Sequence, residues 1–198
     1  MKKIIVIADS FKGTMTSKEV CDIECGTLEK ALPQCNVVNL PVADGGEGTV
    51  DCFLNAMDGE KISVTVKDAF WNETDGFYGR FKDLAVVEMA AVAGIVSNST
   101  RDPLNATTYG VGQLVNHAIE SGCRRILIGL GGSCTNDAGA GMAAAIGTRF
   151  YNEKGDEFVP TGGNLSEVVR IDNSKADEKL SGIKLSCMCD IDNHLYGK

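Results

Sequence analysis

Three times, this chain passes from a short apolar run, through a loop of small and polar residues, into a helical pattern. The loops are Asp9–Thr14, Asp44–Thr49 and Gly131–Asp137. The sharpest case is Arg125 to Gly147. There Ile126, Leu127 and Ile128 lead through Gly129, Gly131 and Gly132 into an alanine-rich stretch. A continuous apolar run bounded by glycines reads as a strand buried on both faces. Strands of that kind alternating with helices form a parallel sheet covered by helices, so the chain is expected to be an α/β protein.

The rest of the chain is consistent with that pattern. Lys3–Ala8 reads as a strand. Thr16 and Glu19 form a capping box that starts a helix ending near Leu32, before Pro33. Val20, Ile23, Leu28, Ala31 and Leu32 mark the expected buried face. Asn36–Leu40 is a second strand, and Thr49–Met57 a short helix. Lys61–Lys67 alternates apolar and polar residues. With Phe77–Phe81 it predicts an antiparallel pair turning at Asp75-Gly76. The character of the pattern changes there, which suggests one domain over residues 1–75 and a second over 76–198. Ala85–Met89 predicts a strand, Ala90–Ile95 a short helix and Ser97–Asn105 a loop. A helix ending at Glu120 should bury Val111, Leu114, Val115, Ala118 and Ile119. Thr148–Tyr151 and Ile183–Cys187 complete the expected strands.

Composition narrows the function classes. A net charge of −8 argues against nucleic acid and anionic membrane as partners. The apolar run after Lys2-Lys3 is too short for a signal peptide, and no stretch reaches transmembrane length, so a cytoplasmic protein is expected. The eight cysteines lack zinc spacing and read as reduced, mostly buried thiols. No Walker-type G-x-x-x-x-G-K-[ST] occurs. Gly129-Leu-Gly131 has Cys134 where a dinucleotide-binding fold needs its third glycine. Gly110 and Gly112 fall at a helix start, where close packing explains them.

In open α/β sheets, ligands bind outside the carboxyl ends of the strands. The three loops, with a fourth polar segment at Asp190–Asn193, therefore point to one cleft. Glycines let backbone N–H groups approach an anion, and carboxylates can hold Mg²⁺ or accept a proton. An anion cradle, a metal and a base are the parts of phosphoryl transfer. Each part also has a plain structural reading, Asp137 as a helix cap and Asp44 as a turn residue among them.

Five blocks in order along the chain, ADSFKGT (8–14), PVADGGEGT (41–49), TTYGVGQL (107–114), GLGGSCTNDAGAGM (129–142) and CDIDN (189–193), resemble the class I glycerate kinases. The resemblance implies a flavodoxin-like parallel-sheet domain, incomplete here, with an inserted Rossmann-like domain. It also implies transfer of phosphate from ATP, with Mg²⁺, to glycerate, giving 2-phosphoglycerate. The residues leave open 3-phosphoglycerate as product, another small hydroxy acid as substrate, or a noncatalytic fragment that retains an anion site. Family members are considerably longer, and His194 stands where they carry proline.

On this resemblance, Asp190 is expected nearest the chemistry, as base or metal ligand, with Asp192 in support. Lys12 would neutralise phosphate or substrate carboxylate. Asp9 and Ser10 would contact substrate, and Asp44 and Glu47 would line the cleft, Asp44 also at the metal. Gly131, Gly132, Ser133 and Thr135 would cradle phosphate, and Asp137 would orient their loop.

Overall fold

A computed structural model describes residues 2–96, 101–192 and 194. The loop expected from Ser97 and the end of the CDIDN block at Asn193 thus fall partly outside the described residues. The chain is α/β. Strand β1 (Lys2–Val6) leads to helix α1 (Ser17–Ala31), strand β2 (Cys35–Asn39) and helix α2 (Thr49–Ala56). Strands β3 (Glu60–Lys67), β4 (Glu73–Phe81) and β5 (Leu84–Glu88) follow, then the one-turn helix α3 (Ala90–Ala93) and helix α4 (Tyr109–Glu120). Strand β6 (Arg125–Gly129) precedes helix α5 (Ala140–Ile146). Strands β7 (Arg149–Tyr151), β8 (Glu157–Phe158) and β9 (Arg170–Asp172), helix α6 (Ser174–Leu180) and strand β10 (Lys184–Met188) complete the order.

The strands form three sheets: β1–β2, the five-stranded β10-β6-β5-β4-β3, and the small β8-β7-β9. Strands β5, β6 and β10 are parallel, whereas β4 is antiparallel to both β5 and β3. Every strand of the large sheet except β4 therefore points its carboxyl end to the same edge. The main core lies against this sheet. It includes Val87, Ile126 and Ile128 from the strands and Val111, Leu114, Val115, Ala118 and Ile119 from α4, the last five being the face its spacing predicts. Gly110 and Gly112 are packing glycines. A Cβ on Gly110 would lie 1.7 Å from the Lys67 carbonyl oxygen, and one on Gly112 would lie 2.4 Å from that of Met142.

The β3–β4 hairpin does not turn at Asp75-Gly76. Both residues lie inside β4, paired with Thr65 and Val64. A Cβ on Gly76 would lie 2.5 Å from Val92 Cγ1 and 2.8 Å from Val66 Cγ2, so this glycine makes room for the core. The turn is made instead at Asp68–Asn72, where Asp68 Oδ1 accepts from the Phe70 and Asn72 N–H groups. Residue 76 is thus mid-strand, and the change of sheet comes earlier, between β2 and β3.

Helix α1 starts with the expected capping box, Thr16 and Glu19 bonding reciprocally. Its buried face is narrower than expected. Val20, Cys21 and Cys25 are buried, but Ile23 is exposed, because the helix covers a sheet of only two strands. All eight cysteines are free. Cys21, Cys25 and Cys123 are buried, whereas Cys187 and Cys189 are exposed on the outermost strand and beyond it.

Candidate functional site

The strand-end loops lock onto one another through backbone and the Ser17 hydroxyl. Ser17 Oγ donates to the Ala8 carbonyl oxygen (2.5 Å) and accepts from Val42 N–H (3.0 Å), tying the loop after β1 to the loop after β2. The latter loop meets the one after β6, where Gly131 N–H donates to the Gly45 carbonyl oxygen at 3.1 Å. Leu130 N–H reaches the Met188 carbonyl oxygen at the end of β10, also at 3.1 Å. Glycine is required where these chains cross. A Cβ on Gly129 would lie 2.2 Å from the Gly45 oxygen, one on Gly131 would lie 2.8 Å from Gly46 Cα, and one on Gly45 would lie 2.9 Å from the Met188 oxygen. Four segments far apart in sequence thus meet at the carboxyl edge, the place where α/β sheets bind ligands.

A cavity of about 410 Å³ opens between the loop after β1, the start of α1 and the first turns of α2. It brings together Ser10, Lys12 and Glu47, with Gly48, Asp51 and Cys52 in its wall. Lys12 and Glu47 are exposed and Ser10 half-buried, which suits side chains that meet a ligand. Asp9 is also exposed, and its Oδ1 accepts from Ser10 N–H at 2.6 Å. Burial pushes the Cys52 thiol up, which disfavours its thiolate.

The Gly131–Asp137 loop differs from the expected cradle. Asp137 is only 1% exposed. Its Oδ2 accepts from Thr108 N–H (2.8 Å), Thr108 Oγ1 (2.9 Å) and Gly141 N–H (3.1 Å), and its Oδ1 accepts from Gly139 N–H (3.1 Å). The amino end of α5, which the sequence offers to an external anion, is filled by this carboxylate. Asp137 therefore joins α4 to α5 and holds the loop, and is not open to phosphate. Within the loop, Gly131, Cys134 and Thr135 donate to Gly45, Ala93 and Ser133 Oγ. Among the described residues the Gly132 and Ser133 N–H groups, like those of Asn136 and Asp137, have no partner; the first two lie beside the paired Ser133 and Thr135 hydroxyls (2.6 Å apart).

The carboxylates are more dispersed than expected. Asp190 and Asp192 lie past the end of β10, where strand spacing no longer aligns them, and both are exposed. Asp190 follows Met188, whose carbonyl oxygen lies against Gly45, so this segment runs beside the Asp44 loop. Asp44 Oδ1 accepts from Gly46 N–H at 2.9 Å. Among the described residues, no three Asp, Glu, Cys or His side chains form a metal cage.

Sequence reading missed Glu88, Thr107 and Thr108. Glu88 ends β5 and is 2% exposed. Its Oε2 accepts from Val50 N–H (2.9 Å) and its Oε1 from Gly48 N–H (3.4 Å). Burial pushes its carboxyl above the usual range, against the pull of those two donors. The available signal was a lone charge closing the apolar run Leu84–Val87 at the carboxyl end of a strand. Thr107 and Thr108, both buried, stand just before α4 and read as ordinary helix-start residues.

Fold and loop geometry together define an α/β protein whose parallel strands present interlocked glycine-rich loops at one edge. The chain belongs to the glycerate kinase family, whose model matches residues 4–198. It is 44% identical over 200 residues to a glycerate kinase of Bacillus cereus, covering 98% of this chain and 52% of that protein. It is 38% identical to the glycerate 2-kinase of Escherichia coli K12, covering 98% and 52%. A solved structure assigned as glycerate kinase 2 from Salmonella typhimurium LT2 superposes with a TM-score of 0.82 at 37% identity, covering 99% of this chain and 54% of the other. The chain thus spans about half the length of the relatives it matches. Among the described residues no helix is long and apolar enough to cross a membrane.

Proposed function

We propose that this chain forms the strand-end wall of an ATP-dependent glycerate kinase that yields 2-phosphoglycerate. The observation that carries the reading is the interlock of the loops after β1, β2, β6 and β10, through backbone and the Ser17 hydroxyl, in a chain of this family. The 2-phosphorylated product follows the name of the Escherichia coli relative. Sheet membership supports the proposed two-part organisation, a flavodoxin-like part around β1–β2 and a Rossmann-like part around the five-stranded sheet. The need for ATP is consistent with a cytoplasmic protein.

In this reading Lys12 neutralises the transferring phosphoryl group or the glycerate carboxylate from the cavity wall, with Ser10 and Asp9 beside it. Asp190 accepts the proton of the attacking hydroxyl, and Asp192 supports its charge. Gly132 and Ser133 N–H groups, with the Ser133 and Thr135 hydroxyls, donate to phosphate oxygens. Mg²⁺, when bound, would be held by Asp44 and Asp190 and would neutralise charge on the phosphates. Crossing the loops as backbone against backbone fixes these groups before substrate arrives, which lowers the entropic part of the barrier.

The test is Asp190→Asn, which keeps shape and removes the base. Release of ADP with glycerate and MgATP should fall by about a hundredfold to ten-thousandfold in kcat, with an unchanged circular dichroism spectrum. Near-normal turnover would remove Asp190 from this role. Glycerate or nucleotide binding by calorimetry with no turnover in the unmodified protein would favour the noncatalytic anion-binding reading, in line with the half-length match. A substrate panel separates glycerate from other hydroxy acids.

A further inference from the structure

Glu88 has no assigned part in the reaction, yet it is a buried carboxylate directly beneath the loop that carries Asp44 and Glu47. Residues Val86 and Glu88 lie on one face of β5, two apart. Val86 packs with Val50 of α2 in an apolar cluster, and Glu88 continues that face to the strand end, under the first turn of α2. That turn has no cap of its own. Gly48, at its N-cap, sits at φ +88° and offers no side chain. Glu88 serves as the cap from forty residues along the chain, accepting from Gly48 and Val50 N–H. The same loop continues through Thr49, whose hydroxyl donates to the Gly46 carbonyl oxygen at 2.7 Å, and through Gly45 and Gly46, which press on Gly131. Glu88 thus fixes one end of the Gly45–Gly48 turn and the Gly131 loop fixes the other.

Because L side chains rarely adopt the left-handed conformation of Gly48, a cap from position 48 itself would be strained, and the cap comes from Glu88. Burial raises the Glu88 carboxyl, so ionisation here works against stability. Between the ordinary glutamate range and its raised value, the folded chain binds more protons than the unfolded chain, and stability falls as pH rises. The charges facing Glu88 partly oppose each other. Asp51 on α2 raises it, and Lys61 on β3 lowers it. Cys52 on α2 is a thiol whose own value burial raises.

We propose that Glu88 is a positioning residue for the phosphoryl-transfer site: its ionised carboxylate holds the Gly45–Gly48 turn, and thereby aims Asp44 and Glu47 at the cleft. The inference rests on the phosphotransferase reading. The test pairs Glu88→Gln and Glu88→Asp with the unmodified protein, following kcat/KM for glycerate with MgATP and the backbone amide resonances of Gly48 and Val50 against pH. In the unmodified protein both amides should titrate together, above the ordinary carboxylate range. The acid limb of kcat/KM should include a component at the same pH. Glu88→Gln, which turns an N–H₂ toward an N–H donor, should abolish the amide titration, remove that component and lower kcat/KM about 10- to 100-fold at neutral pH. Its thermal midpoint should depend less on pH above the ordinary glutamate range than that of the unmodified protein. Glu88→Asp, which keeps the charge, should recover part of the rate. Amides that do not titrate, or a Glu88→Gln protein with unchanged kcat/KM, would overturn the proposal. An unmodified protein that binds but never turns over would instead overturn the phosphotransferase reading beneath it.

Discussion

The two parallel-strand regions of this molecule handle the same loop chemistry with unequal support. The five-stranded sheet rests on a continuous core from β3 to α6. The β1–β2 pair has a small cluster of Val6, Cys21 and Cys25 under α1, and leaves Ile5, Ile7 and Ile23 exposed. Parallel strands are ordinarily buried on both faces, and two strands make a marginal sheet. Yet both regions end in loops of the candidate site. The half at Gly129–Asp137 is built into the large core. The half carrying Asp9, Ser10 and Lys12 is held mainly by its bonds through Ser17 to Val42 and by the Gly45–Gly131 crossing.

That contrast can be broken from the large-core side first. Asp137→Ala would leave the buried Thr108 and Gly141 donors and the part-buried Gly139 N–H unpaired, and at about 1–3 kcal/mol for each buried donor should cost about 3–5 kcal/mol in denaturant unfolding, loosening the junction of α4 and α5. Leu114→Ala, in a fully buried position, should cost about 2–5 kcal/mol by the same measurement. In the smaller region Thr16→Ala, which removes the α1 cap, should cost only about 1 kcal/mol. Native-state hydrogen exchange should place that loss in α1 and β1, with Ile4–Val6 amides already exchanging faster than Ile126–Ile128 in the unmodified chain. Comparable protection in the two strands would remove the contrast.

The smallest effect is electrostatic. Asp172 accepts from the Ser174 hydroxyl and N–H and faces Arg149, which together hold its carboxyl down at about 2. A depressed carboxylate contributes stability above its ordinary value of 3.8 and loses it as pH falls toward about 2. Asp172→Asn should therefore lower stability slightly at neutral pH and flatten the acid limb, the two proteins converging as pH falls toward about 2.

Much of this was legible beforehand because local rules and tertiary packing agreed. The capping box at Thr16, the buried face of α4 and the strand-loop-helix units all follow from residue spacing. The failures share one cause. Gly76 looks like a turn glycine until Val66 and Val92 are seen to need its space. Asp137 reads as a cap that orients its loop, but its partner Thr108, 29 residues earlier, does not show in the spacing. Glu88 caps a helix 40 residues earlier in the chain. Local spacing does not encode contacts over such separations. The short strands β8 and β9 and helix α6 were missed because stretches this brief carry little periodic signal.

In the proposed function the interlocked strand-end loops serve transfer of phosphate from ATP to glycerate. Phosphorus NMR of this protein with glycerate and MgATP tests it most directly. An ADP signal should grow in step with a phosphomonoester resonance at the position of authentic 2-phosphoglycerate. A folded protein that leaves ATP intact and glycerate unphosphorylated would contradict it.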